Sequence, residues 1–430
     1  MAKNTKLDIR QMTIYQVFLR QYSNKQNFEG LIDDLERIKD LGVDIIYLLP
    51  IHPIGLKARK GTKGSPYAIK DYDDINLEYG NLEDFETLIK KAHKLGLKVM
   101  MDIVINHTSR DSKLTQEHPD WFYHDEKGHF ANRVGDWSDI TDLDYSNKAV
   151  WTYMTDMLMY WAKKVDGFRC DVAPLIPLDF WIQARSKIET IKKDFIWLTE
   201  SVQPGFIKYL RDKDYECYSD GEMYQAFDIC YDYDIFEYMD LYLQDSSKLD
   251  FWIDAIKNQE MIYPSNYIKL RSFENHDQKR LRSKVKDQSK FIQMLALEFF
   301  LKGTPLIYAG MEHQATHEPS LFEDDLIIWN KQLSVESIIS NLAQIKKDDL
   351  FKDGHFNIKN FNGVVMISYQ RDEHTLYGIF NLENKEEVAL PLDDCHVINI
   401  FNQKEISIKN KTILLDNEPI IFKITKENTL

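Results

Sequence analysis

Arg169 and Asp171 stand two residues apart in the stretch Gly167-Phe168-Arg169-Cys170-Asp171-Val172-Ala173. The stretch reads as a short strand, on which side chains two apart face the same way. An arginine beside an aspartate keeps the carboxylate ionised and fixes its direction, as a carboxylate nucleophile requires. Taken alone, the pair is equally compatible with a structural ion pair at a strand end. Three other stretches end an apolar run in polar residues: Asp102-Ile103-Val104-Ile105-Asn106-His107, Trp197-Leu198-Thr199-Glu200 and Phe273-Glu274-Asn275-His276-Asp277. Together they supply the carboxylates of Asp171, Glu200 and Asp277, with His107 and His276 beside them. Such a set, gathered in one concave site, is the equipment of acid–base and nucleophilic catalysis. Glu274 reads as exposed or paired with a neighbour, and Asp102 as a structural group under the site.

The elements that must position these residues alternate along the chain. Residues 13–19 are rich in β-formers and read as the first strand. Residues 28–41 carry Leu31, Leu35, Ile38 and Leu41 at helical spacing, and 44–49 form a buried strand. The unit repeats with a helix over 82–95 and a strand over 97–105, then a helix over 148–164 and the strand at Gly167. A helix over 178–188 and a strand over 195–199 follow. Between 203 and 265 the pattern gives helices near 235–243 and 249–257, with a weak strand near Glu216. A strand over 267–273, a helix over 289–301 and a strand over 305–308 complete the series. Strand–helix repeats with short links make a parallel sheet. Seven clear strands and a weak eighth predict a (β/α)8 TIM barrel, whose function sits at the carboxyl ends of its strands.

Domain boundaries follow from the same pattern. Residues 1–350 read as a catalytic barrel, with 109–141 as a short insertion after the third strand. Its Trp121, Phe122, Tyr123 and Trp137 suit either a cleft wall or a small core of their own. From 351 to 430 short alternating runs predict a C-terminal antiparallel β-sandwich domain without chemistry of its own.

Composition narrows the partners. A net charge of −15 argues against nucleic acid, which needs a basic face. The chain is 43% hydrophobic and 13% aromatic, enough for a large core and unlike a disordered chain. No apolar run approaches a membrane span, and the amino terminus lacks an apolar leader. Cys170, Cys217, Cys230 and Cys395 lack metal-ligand spacing. These features predict a reduced, cytoplasmic protein with no membrane partner.

The four strand-end stretches, in this order, resemble the four signature regions of the α-amylase family of glycoside hydrolases. Leu49-Pro50-Ile51-His52-Pro53 with Ser65-Pro66-Tyr67-Ala68-Ile69-Lys70-Asp71-Tyr72 is similar to the family's loop after the second strand. Thr141-Asp142-Leu143-Asp144-Tyr145 is similar to its motif between the third and fourth strands. The resemblance implies Asp171 as nucleophile, Glu200 as general acid/base and Asp277 as a third, transition-state-stabilising carboxylate. It implies that Arg169 orients Asp171, that His107 and His276 hydrogen-bond the sugar before the cleavage point, and that Tyr67 stacks under that ring. Arg169 is then expected to lower the pKa of Asp171, while apolar neighbours and like charge raise that of Glu200.

Departures from the family pattern bear on subclass. Asn106 resembles a calcium ligand of many members, which leaves calcium open, although no cofactor is required for the chemistry. Past Asp171 the chain reads Val172-Ala173-Pro174-Leu175, without the Lys-His pair of many polymer-cutting members. Gly64 stands where exo-acting α-glucosidases of the family often carry an aspartate. The expected activity is retaining hydrolysis of α-glucosidic bonds, chiefly α-1,4 links in maltodextrins or α-gluco-oligosaccharides. A transglycosylase or glucan isomerase would use the same residues. An inactive carbohydrate-binding barrel is the reading from another class.

Overall fold

The structure is a computed structural model and describes residues 4–134 and 137–425. Barrel strands β1 (Ile14–Val17), β2 (Ile45–Leu48) and β3 (Lys98–Ile103) come first. A two-stranded ribbon follows, β4 (His107–Ser109) with β5 (Ile140–Asp142). The barrel resumes with β6 (Gly167–Cys170), β7 (Ile196–Thr199), β8 (Ile229–Tyr231), β9 (Ile268–Arg271) and β10 (Thr304–Tyr308). The eight close in the order β1-β10-β9-β8-β7-β6-β3-β2. The short strands are buried almost throughout, as expected where helices cover a parallel sheet. Among the described residues no helix is long and apolar enough to cross a membrane.

Three local expectations change. The helix foreseen over 28–41 is two pieces, Phe28–Ile32 and Leu35–Asp40. The Asp34 carboxylate at the break accepts from Arg37 Nε and Tyr22 Oη, and Asp34 N donates to Leu31 O at 3.1 Å, one residue short of the α-helical partner. The eighth strand is not near Glu216 but at Ile229–Tyr231, where buried Asp228 accepts from Trp197 N at 2.9 Å and Arg185 Nη2 at 2.8 Å. Helices Pro204–Arg211 and Glu336–Ile345 also form.

The C-terminal part is antiparallel. Strands β11 (His355–Phe361), β12 (Val364–Arg371) and β13 (His374–Asn381) form a four-stranded sheet with the last strand, β18 (Ile420–Thr425). Between them, β14 (Glu387–Ala389) pairs with β17 (Thr412–Leu414), and β15 (Cys395–Ile398) with β16 (Glu405–Ile408). Val364, Ile379 and Phe422 from the sheet share one core with Val388 and Ile413 from a ribbon. The chain divides into two compact units. One comprises Ile14–Tyr231 and His317–Ile328; the other comprises Thr5–Thr13, Asp232–Thr316 and the residues from Trp329 onward.

Within the second unit, Phe300 ends the helix Gln288–Phe300 and ties it to the C-terminal sheet. Its ring centroid lies 5.0 Å from Phe351, 5.8 Å from Tyr369 and 5.4 Å from Phe380. Gly378 leaves the room: a Cβ there would stand 2.7 Å from Phe300 Cε1. Phe300→Ala is therefore expected to cost about 3–5 kcal/mol, seen as a lower urea midpoint with an unchanged slope.

Candidate active site

Strand register brings the first group of candidates together. Asp102 of β3 pairs in register with Arg169 of β6, and Cys170 pairs with Thr199 of β7. The ladder runs one residue further, with Asp171 N donating to Ile103 O at 2.9 Å and Glu200 N to Cys170 O at 3.0 Å. Asp171 and Glu200 are thus neighbours on adjacent strands, which lie about 4.8 Å apart. Arg169, fully buried, is the hub. Its Nη1 donates to Asp102 Oδ1 and to Asp171 Oδ1, each at 2.9 Å, and its Nη2 forms an ion pair with Glu200 Oε2 at 2.9 Å. The faces of Tyr67 and Tyr231 lie 5.7 and 5.5 Å from the guanidinium.

Three carboxyls against one buried guanidinium leave surplus negative charge. Burial and the neighbouring Glu200 push the Asp171 carboxyl well up, while Arg169 pulls against both. Arg169 thus acts on Asp171 in the expected direction, but burial and then Glu200 outweigh it. Asp102 is fully buried and also accepts from Tyr47 Oη at 2.7 Å and Tyr67 Oη at 3.1 Å, so it underpins the site.

The loop after β2 carries Tyr67 and is braced from below. Trp161 Nε1 donates to Tyr72 O at 3.0 Å, and Tyr72 Oη to Val104 O at 2.8 Å. His52 is 1% exposed and sits edge-on to Trp161, with Nδ1 3.0 Å from Asp74 O. Gly64 adopts φ +79°, and a Cβ there would meet Ile54 Cγ2 at 2.9 Å. His107 Nε2 lies 4.0 Å from Asp171 Oδ2, and burial lowers the pKa of this imidazole. In the insertion, Trp121 and Phe122 are core, whereas half-buried Trp137 lies 5.7 Å from the His107 ring.

The second unit holds His276 and Asp277 after β9. His276 Nε2 is 3.0 Å from Asp277 Oδ2, with the histidine side chain buried and the aspartate 41% exposed. Asn275 Oδ1 accepts from Asp277 N at 2.9 Å, and Asn275 Nδ2 donates to Tyr233 Oη at 3.1 Å. Glu274 is buried and paired: Arg280 Nη1 donates to it at 2.8 Å, and that guanidinium stacks on Tyr308. The described geometry therefore joins Tyr67, His107, Arg169, Asp171 and Glu200 in one unit, and His276 with Asp277 in the other.

The described side chains around Asn106 are engaged with nitrogen partners. Among the described residues no group of three or more His, Cys, Asp or Glu side chains could hold a metal. Asn106 Nδ2 turns to His107 Nδ1 at 3.3 Å. The nearby carboxylates already have cations: Lys60 Nζ lies 3.2 Å from Asp139, and Arg133 Nε 3.3 Å from Asp142. Calcium takes about six to eight oxygens, and these two carboxylates each already face a cation.

Two features beside the carboxyls carried little sequence signal. Val172 donates its N–H to Glu200 Oε2 at 2.9 Å, and a main-chain donor is invisible in residue type. Leu175, Leu210, Cys217 and Val134 form a small apolar core against which Val172, Trp137, Val202, Phe206 and Ile207 pack. Only the apolar run after Asp171 hinted at it.

Burial pushes the His52 imidazole down to about 4 from 6.5. The unfolded chain then takes up a proton that the fold refuses, so stability present above pH 6.5 is lost as pH falls. Unfolding in urea should show a loss of about 2 kcal/mol from this group between about pH 7 and 5, and His52→Gln should remove that part of the pH dependence.

Residues 18–135 and 115–354 match the α-amylase catalytic domain, and 356–422 match the bacterial α-amylase C-terminal domain. The crystal structure of an α-amylase from Lactobacillus plantarum is 44% identical, with a TM-score of 0.95 over 98% of this chain and 100% of that one. A maltogenic α-amylase from Thermotoga neapolitana is 33% identical, with a TM-score of 0.86 over the same shares. The intracellular maltogenic amylase of Bacillus subtilis is 26% identical over 388 residues, 83% of this chain. The chain spans 62% of the length of that relative. It belongs to the α-amylase family of glycosidases, with the family's catalytic barrel followed by a bacterial α-amylase C-terminal domain.

Proposed function

We propose that the chain hydrolyses α-glucosidic bonds, chiefly α-1,4 links in maltodextrins and α-gluco-oligosaccharides, with retention at the anomeric carbon. One observation carries this reading: Asp171 and Glu200 sit on adjacent strands, each within 2.9 Å of a nitrogen of the same guanidinium. Retention needs two carboxyl groups about 5–5.5 Å apart, whereas inversion leaves room for water at about 6.5–9.5 Å. Neighbouring parallel strands offer the shorter spacing.

In the reactive form Glu200 is protonated and Asp171 ionised. An Asp171 oxygen attacks the anomeric carbon as the glycosidic bond breaks, and the Glu200 proton passes to the departing oxygen. Glu200, now a carboxylate, takes a proton from water, and the resulting hydroxyl group displaces Asp171 from the sugar. Arg169 holds Asp171 in line throughout. Asp277 is assigned to the developing oxocarbenium charge, and His107, His276 and Tyr67 to the sugar before the cleavage point, on their places in the signature regions. His107, kept neutral by burial, offers a hydrogen bond without adding a charge.

A second reading has specific support. The apolar cluster beyond Asp171 would shed water and favour a sugar acceptor over hydrolysis, giving transglycosylation from the same intermediate. Four free cysteines, three of them buried, suit a reducing cytoplasm, and the Bacillus subtilis relative is named as intracellular.

Incubation with maltose through maltoheptaose, linear starch and isomaltose tests the assignment. Short maltooligosaccharides, released first as the α-anomer, are expected; products longer than the substrate establish transfer. No turnover of any of them removes the substrate assignment. Asp171→Asn and Glu200→Gln should each lower kcat on maltoheptaose by about 10³-fold or more without unfolding the protein. With Lys60 on Asp139 and Arg133 on Asp142, activity and thermal midpoint should be the same in EDTA and in calcium chloride.

A further inference from the structure

The β6–β7 ladder ends irregularly. Glu200 N donates to Cys170 O, so the next rung of a parallel ladder would run from Val172 N to the Glu200 main-chain oxygen. Val172 N instead donates to the Glu200 side chain, at Oε2, 2.9 Å away. The change follows from the Val172 backbone, which turns left-handed at φ 35° and ψ 38°. Among the non-glycine residues described with positive φ, Val172 alone is β-branched, and a branched Cβ is crowded there against its own main chain.

The surroundings hold this conformation in place. Leu175 N closes a tight turn onto Val172 O at 2.9 Å, and Tyr218 N donates to Pro174 O at 3.0 Å. Trp181 Nε1 donates to Ala173 O at 3.1 Å. The valine side chain is packed against the apolar cluster of Val134, Leu175, Leu210 and Cys217. A residue kept against its own preference beside reactive groups is the pattern expected where backbone strain serves a site.

We propose that Val172 is a positioning residue for Glu200: its left-handed backbone turns an N–H onto Oε2 and so dedicates the other carboxyl oxygen to the leaving group. The inference rests on the reading of Glu200 as acid/base. An oxygen that already accepts an N–H and lies 2.9 Å from Arg169 Nη2 is a poor seat for a proton, so the proton rides on Oε1. Arg169, Asp171 and Tyr231 also face Glu200, and none of them is altered by removing one main-chain N–H.

The test replaces Val172 by its α-hydroxy acid in the full-length protein, so that an ester oxygen takes the place of the N–H and the side chain is kept. With maltotriose, the basic limb of the kcat/KM profile should move up by about one pH unit, because ionised Glu200 loses a charge-assisted hydrogen bond. With α-maltosyl fluoride, whose leaving group needs little protonation, the rate should stay within about twofold. Val172→Gly keeps the N–H and the left-handed turn, and its basic limb should match that of the native protein.

An unmoved limb in the ester variant overturns the proposal. So does an equal loss on the fluoride and on maltotriose, or a limb in Val172→Gly that moves as far as the ester's. Native protein that turns over neither substrate instead overturns the acid/base reading itself.

Discussion

A guanidinium with no access to water must be neutralised where it lies, and Arg169 is neutralised by Asp102, Asp171 and Glu200. Burying such a charge is tolerated only with close counter-charges, and removing one partner of a buried pair leaves the other stranded. The site and the barrel interior are thus built on the same contact. Asp102 lies wholly within the barrel, while the other two carboxyls reach the edge of solvent, 9% and 12% exposed. One cation links a carboxyl inside the barrel to the two to which the proposed chemistry is assigned.

The second unit follows the same rule with different residues. Arg271 on β9 pairs with Asp232, Lys269 with Asp234, and Arg280 with Glu274. Each cation is buried and each has a carboxylate within 2.8 Å. Charged residues that look like core in sequence are therefore paired across the interior, whereas Asp277, 41% exposed, has buried His276 within 3.0 Å.

Much of this was legible in the sequence because strand periodicity is strong and polar strand ends are conspicuous. The barrel, the antiparallel C-terminal part and the contact of Arg169 with Asp171 follow from residue type and a spacing of two. The unread parts depend on distant partners. Ile229–Tyr231 is too short to show a period, and its place depends on Asp228 meeting Trp197 and Arg185. The helix over 28–41 has the right apolar spacing, yet Asp34 finds Arg37 and Tyr22 instead. The sharing of Arg169 among three carboxyls and the burial that outweighs its effect on Asp171 need coordinates, as does the dihedral angle of Val172.

Gly64 constrains how this protein could diverge. Its backbone lies at φ +79°, and the space beside it is filled by Ile54 Cγ2. Any larger residue there would meet both an unfavourable dihedral and a methyl group at 2.9 Å. Room made at Ile54 relieves only the second of these, so drift at this point of the loop that carries Tyr67 needs the backbone and a neighbour to change together.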